Sequence, residues 1–271
     1  MPYWRELAAI SAALVCLAPA AAAQNLGAPQ IVKMHLDESL GPPEERMGGA
    51  REIRGACEVE ARQIGTGMLA GPFTLATDQA STRLLISFGT DTYEGEEFVF
   101  DGSKTEIGFA VRPSAKKSVL AQFIAANDVI LREGLLGGVL NAGWPLLDLA
   151  ARQVRLDSAG LKELDGRRLY RLRYRAKSKQ SDLDIYLYFD PGTFRHVATV
   201  YSRSRAQNLG TTMESSSQQS EVHFKLEERF ADFERIKGLT LPTTWSLLYE
   251  QSANTTLVWR YKFKISAVER K

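Results

Sequence analysis

The chain has 271 residues, with 34 Lys and Arg against 32 Asp and Glu, a formal net charge of +2. Charge this evenly balanced, with no basic tract, argues against a nucleic-acid partner. Hydrophobic residues at 44% and charged residues at 24% are the proportions of an ordinary globular domain, and the length suits one all-β domain.

The first segment reads as an export signal. Met1 to Glu6 is short and polar, and Leu7 to Leu17 is an apolar run. Pro19 breaks it, and Ala20 to Ala23 supply small residues for a peptidase, so cleavage is expected after Ala23. A membrane anchor would need roughly 20 apolar residues, and Pro19 ends the run too early. Cys16 follows Val15 rather than a small residue, and the apolar run continues past it, which speaks against lipidation. The expected organisation is a signal peptide over 1–23 and one domain over 24–271. The mature chain then holds Cys57 alone, so no internal disulfide is available and stability must come from a buried core.

Ile31, Met34 and Leu36 have helical spacing, stopped by Gly41-Pro42-Pro43, and Pro43 to Arg46 can start a second short helix. From Arg51 the period becomes two. Ile53, Gly55, Cys57 and Val59 alternate with Glu52, Arg54, Glu58 and Glu60, as a strand with one buried face requires. Gly65 to Gly67 reads as a turn, and Gly71-Pro72 reads as turning or bending the chain again. Thr74 to Asp78, Arg83 to Phe88, Tyr93 to Phe100 and Lys104 to Val111 read as strands.

Residues 114–150 differ: Val119, Leu120, Phe123, Ile124, Val129 and Ile130 keep helical spacing. Gly134, Gly137, Gly138 and Gly143 interrupt it, predicting short helices packed on a sheet with some mobility, since Gly weakens helices. Strands resume at Arg168 to Ala176, where Tyr170, Leu172 and Tyr174 oppose Arg171, Arg173 and Arg175. Asp182 to Asp190, a turn at Asp190-Pro191-Gly192, and Phe194 to Tyr201 follow. Ser202 to Ser220 is polar and reads as a mobile loop. Val222 to Phe233, Thr243 to Gln251 and Thr256 to Val268 complete the series.

The pattern predicts a mainly antiparallel β fold with helices (α+β), of roughly nine to eleven strands. A long sheet apolar on one face must curl to bury it, and an unclosed half-barrel over an N-terminal helix and a central helical lid does so. The predicted concave lining comprises Leu172, Leu187, Phe224, Trp245, Trp259 and Tyr261 from strands. Phe123, Leu136, Leu140 and Trp144 come from the lid. A packed core and a ligand cavity are both compatible with that list.

Catalytic chemistry has little to stand on. His35, His196 and His223 lack metal-site spacing, although His196 and His223 could meet between strands. There is no nucleophile elbow, phosphate loop or dinucleotide fingerprint, and no metal or other cofactor is expected. Cys57 reads as a small buried hydrophobe. Asp182 and Asp184 share an outer face, as do Arg171, Arg173 and Arg175, and a solvated surface explains both sets. Asn254-Thr255-Thr256 matches a glycosylation sequon too short to carry weight.

Several stretches resemble the periplasmic lipoprotein carriers, the outer-membrane lipoprotein-sorting (LolA-like) proteins. They are Leu164 to Leu172, Ile185 to Pro191 with Phe194-Arg195, Phe230 to Phe233 with Gly238 to Pro242, and the helix from Ile31 to Leu40. The resemblance implies an unclosed antiparallel barrel with a helical lid and an apolar cavity that takes acyl chains. It implies a non-enzymatic periplasmic carrier or sensor whose partner is a lipid or an acylated protein. The other reading is an envelope scaffold with a packed core and a protein partner. Two departures stand out. The family's carriers are usually shorter, and no arginine here matches their lid-locking one.

Overall fold

The computed structural model describes residues 26–46, 49–61, 68–90, 93–111, 117–177, 182–206, 221–252 and 256–271. The expected export segment with Cys16, the expected turn at Gly65 to Gly67, most of the Ser202 to Ser220 stretch, and Asn254 and Thr255 of the sequon lie outside them.

The N-terminal helix α1 (Ala28–Met34) runs on into a π-helical turn (His35–Leu40), and α2 (Pro43–Arg46) follows. Strands β1 (Arg51–Ala61), β2 (Leu69–Thr77), β3 (Thr82–Ser87), β4 (Gly95–Phe100) and β5 (Thr105–Phe109) form the first meander. The lid comprises α3 (Val119–Ala126), α4 (Val129–Arg132) and two 3-10 turns at Gly138–Leu140 and Pro145–Asp148. The second meander contains β6 (Arg155–Leu164), β7 (Arg167–Arg175), β8 (Asp184–Phe189) and β9 (His196–Ala206). Its last strands are β10 (Glu221–Ile236), β11 (Leu239–Ser252) and β12 (Thr256–Arg270).

All twelve strands make one antiparallel sheet, ordered β5-β4-β3-β2-β1-β12-β11-β10-β9-β8-β7-β6. The first and last strands join the two meanders, from Arg51 opposite Arg270 to Ala61 opposite Trp259. The free edges are therefore β5 and β6, and they do not pair with each other, so the barrel stays open. Those edge strands are also the two that flank the lid in sequence. The lid is thus a strap from one edge to the other. It lies on β4 and β5 at its start and on β9 and β11 at the Gly138–Leu140 turn. The π-helical turn rests on β11, and α1 rests on β6.

The core lies between sheet and lid. Ile53, Phe73, Leu75, Leu84, Phe98, Leu172, Leu187, Leu226, Trp245 and Phe263 are buried from the sheet side. Leu120, Ile124, Leu131, Leu136, Leu140 and Trp144 are buried from the lid side. Each such side chain contributes on the order of 1.5–3 kcal/mol by leaving water, and this burial holds the described residues together with Cys57 free. A smaller buried cluster of Leu169, Tyr188, Val197, Ala198 and Val200 lies on the convex face. Arg171 over the Tyr186 ring and Arg195 over the Phe233 ring cover part of that face.

Three elements differ from the sequence reading. Ser202 to Ala206, read as the start of a loop, extend β9, because pairing with β10 continues through them. Residues 155–164 form β6, a strand the reading did not contain. It is an edge strand with no fully buried position, so its alternation is faint. Gly71-Pro72 does not turn the chain but runs inside β2. Pro72 falls opposite Ala56 before the pairing with β3 begins at Phe73, so its missing N–H leaves the second ladder intact.

The lid glycines serve close approach. Gly134, with φ +67°, has the Gly143 carbonyl 2.5 Å from where a Cβ would stand. Gly138, with φ +49°, would place a Cβ 2.8 Å from the His196 ring and 2.9 Å from Phe230 Cζ. Gly138→Ala is expected to cost about 2–4 kcal/mol from left-handed strain and overpacking together. Urea unfolding of the variant checks this, and a midpoint equal to wild type would show that the lid does not pack this closely.

Candidate functional site

Period-two strands place every second side chain on the concave face, and several of those side chains are polar. Arg51 shares the phase of Ile53 and Cys57, Glu96 that of Phe98 and Phe100, and Glu228 that of Leu226 and Phe230. Thr77, Thr82 and Tyr174 also fall on inward positions. All six are buried. A buried polar group left unpaired is costly, and each of these has at least one hydrogen bond to the lid.

Glu228 is the most enclosed. Its Oε2 accepts the Gly137 backbone N–H at 2.8 Å and the Trp245 Nε1–H at 2.9 Å, and its Oε1 accepts the Tyr201 hydroxyl at 2.6 Å. The three donors are neutral, so burial dominates and raises the carboxyl from its ordinary 4.5 to about 7, against the opposing pull of the donors. Glu96 accepts both the backbone N–H and the hydroxyl of Ser118 at 2.5 Å, while Ser118 Oγ accepts the Ala121 N–H and so caps α3. Burial pushes the Glu96 carboxyl up as well.

Arg51 donates to the Val139 carbonyl at 2.9 Å and to the Arg46 carbonyl at 3.1 Å. Burial lowers its guanidinium to about 10, with Arg270 adding repulsion. An arginine does tie lid to sheet, therefore, at the first residue of β1. Thr77 Oγ1 accepts the Ala142 N–H at 3.0 Å, and Asn141 Nδ2 donates to Thr82 Oγ1 at 3.0 Å. At the end of α4 the Tyr174 hydroxyl donates to Glu133 Oε2 at 2.6 Å.

His196 meets His35, not His223. Trp144 stacks on the His196 ring at 4.9 Å, and its other neighbour is the His35 ring, edge-on at 5.4 Å. Phe189 touches both rings. His35 Nδ1–H donates to the Phe194 carbonyl at 2.7 Å, which leaves Nε2 as a buried acceptor without a partner. His196 Nε2 lies 3.0 Å from Thr199 Oγ1, and its Nδ1 is buried and unpartnered. Burial lowers His35 to about 4 and His196 well below its ordinary value, so both rings are neutral at pH 7. His223 is exposed beside Ser204.

The predicted lining residues do converge. Leu136, Leu140, Trp144, Leu172, Leu187 and Trp245 are fully buried, and Phe123, Trp259 and Tyr261 nearly so. Phe224 is half-buried under the Arg203 guanidinium. The rings pack on one another: Trp245 stacks on Phe263 at 4.3 Å, and Phe123 meets Tyr249 edge-on at 5.5 Å. Two clefts lie at the lid rim, and none of the ten residues lines either one.

The surface features are paired. Asp184 binds Arg173, Asp182 binds Arg203, Asp190 binds Arg167, and Arg175 binds Asp157. Cys57 is buried and free, with burial raising its thiol to about 12, which suits an inert packing residue. Among the described residues there is no group of three His, Cys, Asp or Glu placed to hold a metal ion, and no helix long and apolar enough to cross a membrane.

The chain is similar to several solved structures at low identity. A LolA superfamily protein from Nitrosomonas europaea is 11% identical, with 91% of this chain and 94% of that one covered and a TM-score of 0.48. An outer-membrane lipoprotein-sorting protein domain from Vibrio parahaemolyticus is 8% identical, with 89% and 91% covered and a TM-score of 0.44. A DUF1329 family protein from Desulfovibrio piger is 10% identical, with 90% and 92% covered and a TM-score of 0.40. No family model and no curated protein sequence matches.

Glu228 generates a pH prediction. Its folded pKa lies above its unfolded one, so its stabilisation is complete below pH 4.5 and is lost as pH rises through about 7. The loss is roughly 3 kcal/mol. Glu228→Gln keeps an oxygen for Gly137 and Trp245 and can donate to the Tyr201 oxygen, so the variant should lack this loss. Glu228→Ala strands three donors and should cost at least about 3 kcal/mol at any pH. Urea midpoints of the three proteins at about pH 5 and about pH 8.5 check both statements. Equal pH dependence in wild type and the Gln variant would refute the buried-charge account.

Proposed function

We propose that this protein is exported with cleavage near Ala23. In the periplasm its one half-barrel domain, residues 24–271, binds the acyl chain of a lipid or acylated protein, as a carrier or sensor. The observation that carries the reading is the construction of the lid interface. An apolar concave face is covered by a strap whose backbone is fastened to inward-facing polar side chains at discrete points. Water can replace each of those hydrogen bonds when the strap lifts, and the exposed Leu172, Leu187, Phe224, Trp245, Trp259 and Tyr261 would then accept an aliphatic chain. Phe123, Leu136, Leu140 and Trp144 of the strap would cover it. Passive binding of this kind needs no nucleotide and no catalytic group.

The close packing of those ten residues supports a second reading, an envelope scaffold that docks a protein partner and never opens. The readings differ in whether the lid yields. Native mass spectrometry of protein purified from a bacterial periplasm, with uptake of a fluorescent fatty acid, tests the carrier reading. A ligand-free mass without uptake would favour the scaffold.

A variant sharpens the test. Tyr174→Phe removes one lid fastening, the bond to Glu133, without emptying the core. Losing about 1 kcal/mol there raises the open fraction about fivefold, so fatty-acid uptake should quicken severalfold. Unchanged uptake kinetics would argue that opening of the lid does not limit entry.

A further inference from the structure

We propose that the cleft beside α4, at the rim of the lid, is a binding site for a phosphate group. The cleft measures about 360 Å³ and is lined by Arg132, Glu133, Pro145, Arg152, Tyr174 and Lys177. Three cations face one carboxylate, and Arg132 also pairs with Asp128, which leaves a formal excess of one positive charge. That carboxylate is already engaged in the wall: Glu133 Oε1 accepts the Lys177 backbone N–H at 2.9 Å, and Oε2 accepts the Tyr174 hydroxyl.

The cations retain unused donors. Arg132 donates one Nη1–H to Asp128 at 3.2 Å, and Arg152 donates from Nη2 to the Gln79 carbonyl. A guanidinium carries five N–H groups, and the Lys177 ammonium adds three. The three side chains arise from separate places: α4, the chain just after the Pro145–Asp148 turn, and the residue two beyond β7. Donors supplied to one cleft by three separate segments suit a tetrahedral oxyanion better than a planar carboxylate. A phosphomonoester, near −2 at neutral pH, also suits a cleft that keeps a positive excess. The basic rim continues past Arg132 into a second cleft of about 480 Å³ that carries Lys104 and Lys117 with Asp128.

This site is separate from the acyl-chain reading, because none of the ten concave lining residues lines the cleft and its three cations lie outside the concave face. Pro145 and the buried Tyr174 ring give its floor an apolar part, so the phosphate can come from a lipid headgroup or from a free phosphate. Calorimetric titration of the mature protein with inorganic phosphate and with micelle-free dihexanoyl phosphatidic acid separates the two sources. Saturable binding of both supports the site with free phosphate sufficient. Binding of phosphatidic acid alone supports it with a lipid source.

In the Arg132→Gln, Arg152→Gln, Lys177→Gln triple variant the affinity should fall about tenfold or more. Lys262→Gln, at an exposed position on β12, should change nothing. No binding of either probe, or equal binding by the triple variant, overturns the proposal. Fatty-acid uptake by the triple variant keeps the two ideas distinguishable. Phosphate binding without uptake in wild type sinks the carrier reading alone, and uptake without phosphate binding sinks this one alone.

Discussion

The fold depends on polar side chains that sit on the apolar phase of the sheet. Arg51, Glu96 and Glu228 point the same way as isoleucine and phenylalanine neighbours. A carboxylate or guanidinium in that position must find partners or stay in water. The partners come from a segment whose own backbone is irregular. The lid has short helices and 3-10 turns, so many of its N–H and C=O groups lack intrahelical partners. Gly137 offers an N–H to Glu228, Val139 a carbonyl to Arg51, Ala142 an N–H to Thr77. A regular helix would have used those groups internally. Irregular strap and polar sheet positions thus explain each other.

That complementarity also sets how the interface divides its energy. Burial of Leu136, Leu140 and Trp144 supplies most of the stabilisation. The hydrogen bonds contribute little net stability each, but unmade they are costly. They therefore fix where the strap lies rather than how strongly it is held. A misplaced strap would leave Glu228 or Arg51 buried and unpaired, which excludes alternative registers. The buried His35 and His196 rings act differently. Each has a ring nitrogen with no partner, and each would have to be charged against burial if protonated. For these groups the folded pKa is depressed, so their contribution is present above pH 6.5 and is lost as pH falls. Glu228 works in the opposite sense, and the two slopes meet between them.

Much of this was legible in the sequence. Alternation at Ile53 to Val59 and at Tyr170 to Tyr174 gave the strands and their buried faces, and helical spacing from Val119 gave the lid. The edge strand β6 escaped because an edge strand with no fully buried position has weak alternation. Gly71-Pro72 misled because the same dipeptide that marks turns is tolerated in a strand where one ladder has ended. Glu228 was missed for a different reason. In the run Glu227-Glu228-Arg229 the eye sees a polar patch, yet counting by two from Leu226 to Phe230 puts Glu228 inside. The same count from Ile53 back to Arg51 marks the arginine that fastens the lid. A charge on the buried phase of a strand was the available signal.

What no strand pattern can reveal is whether the concave face is a core or a container. Both demand the same apolar residues, and the difference lies in whether a covering element can be exchanged for something else. Here the covering element is one continuous strap joining the two free edges of an open sheet. Because β5 and β6 are not paired with each other, the edges can separate without breaking a ladder. Lifting the strap would therefore disturb side-chain packing and a few isolated hydrogen bonds while leaving all twelve strands intact. The strap's Leu136, Leu140 and Trp144 fill the concavity in the closed form much as an aliphatic guest would. On the carrier reading, binding is then an exchange of one apolar filling for another, and its strength is the difference between them.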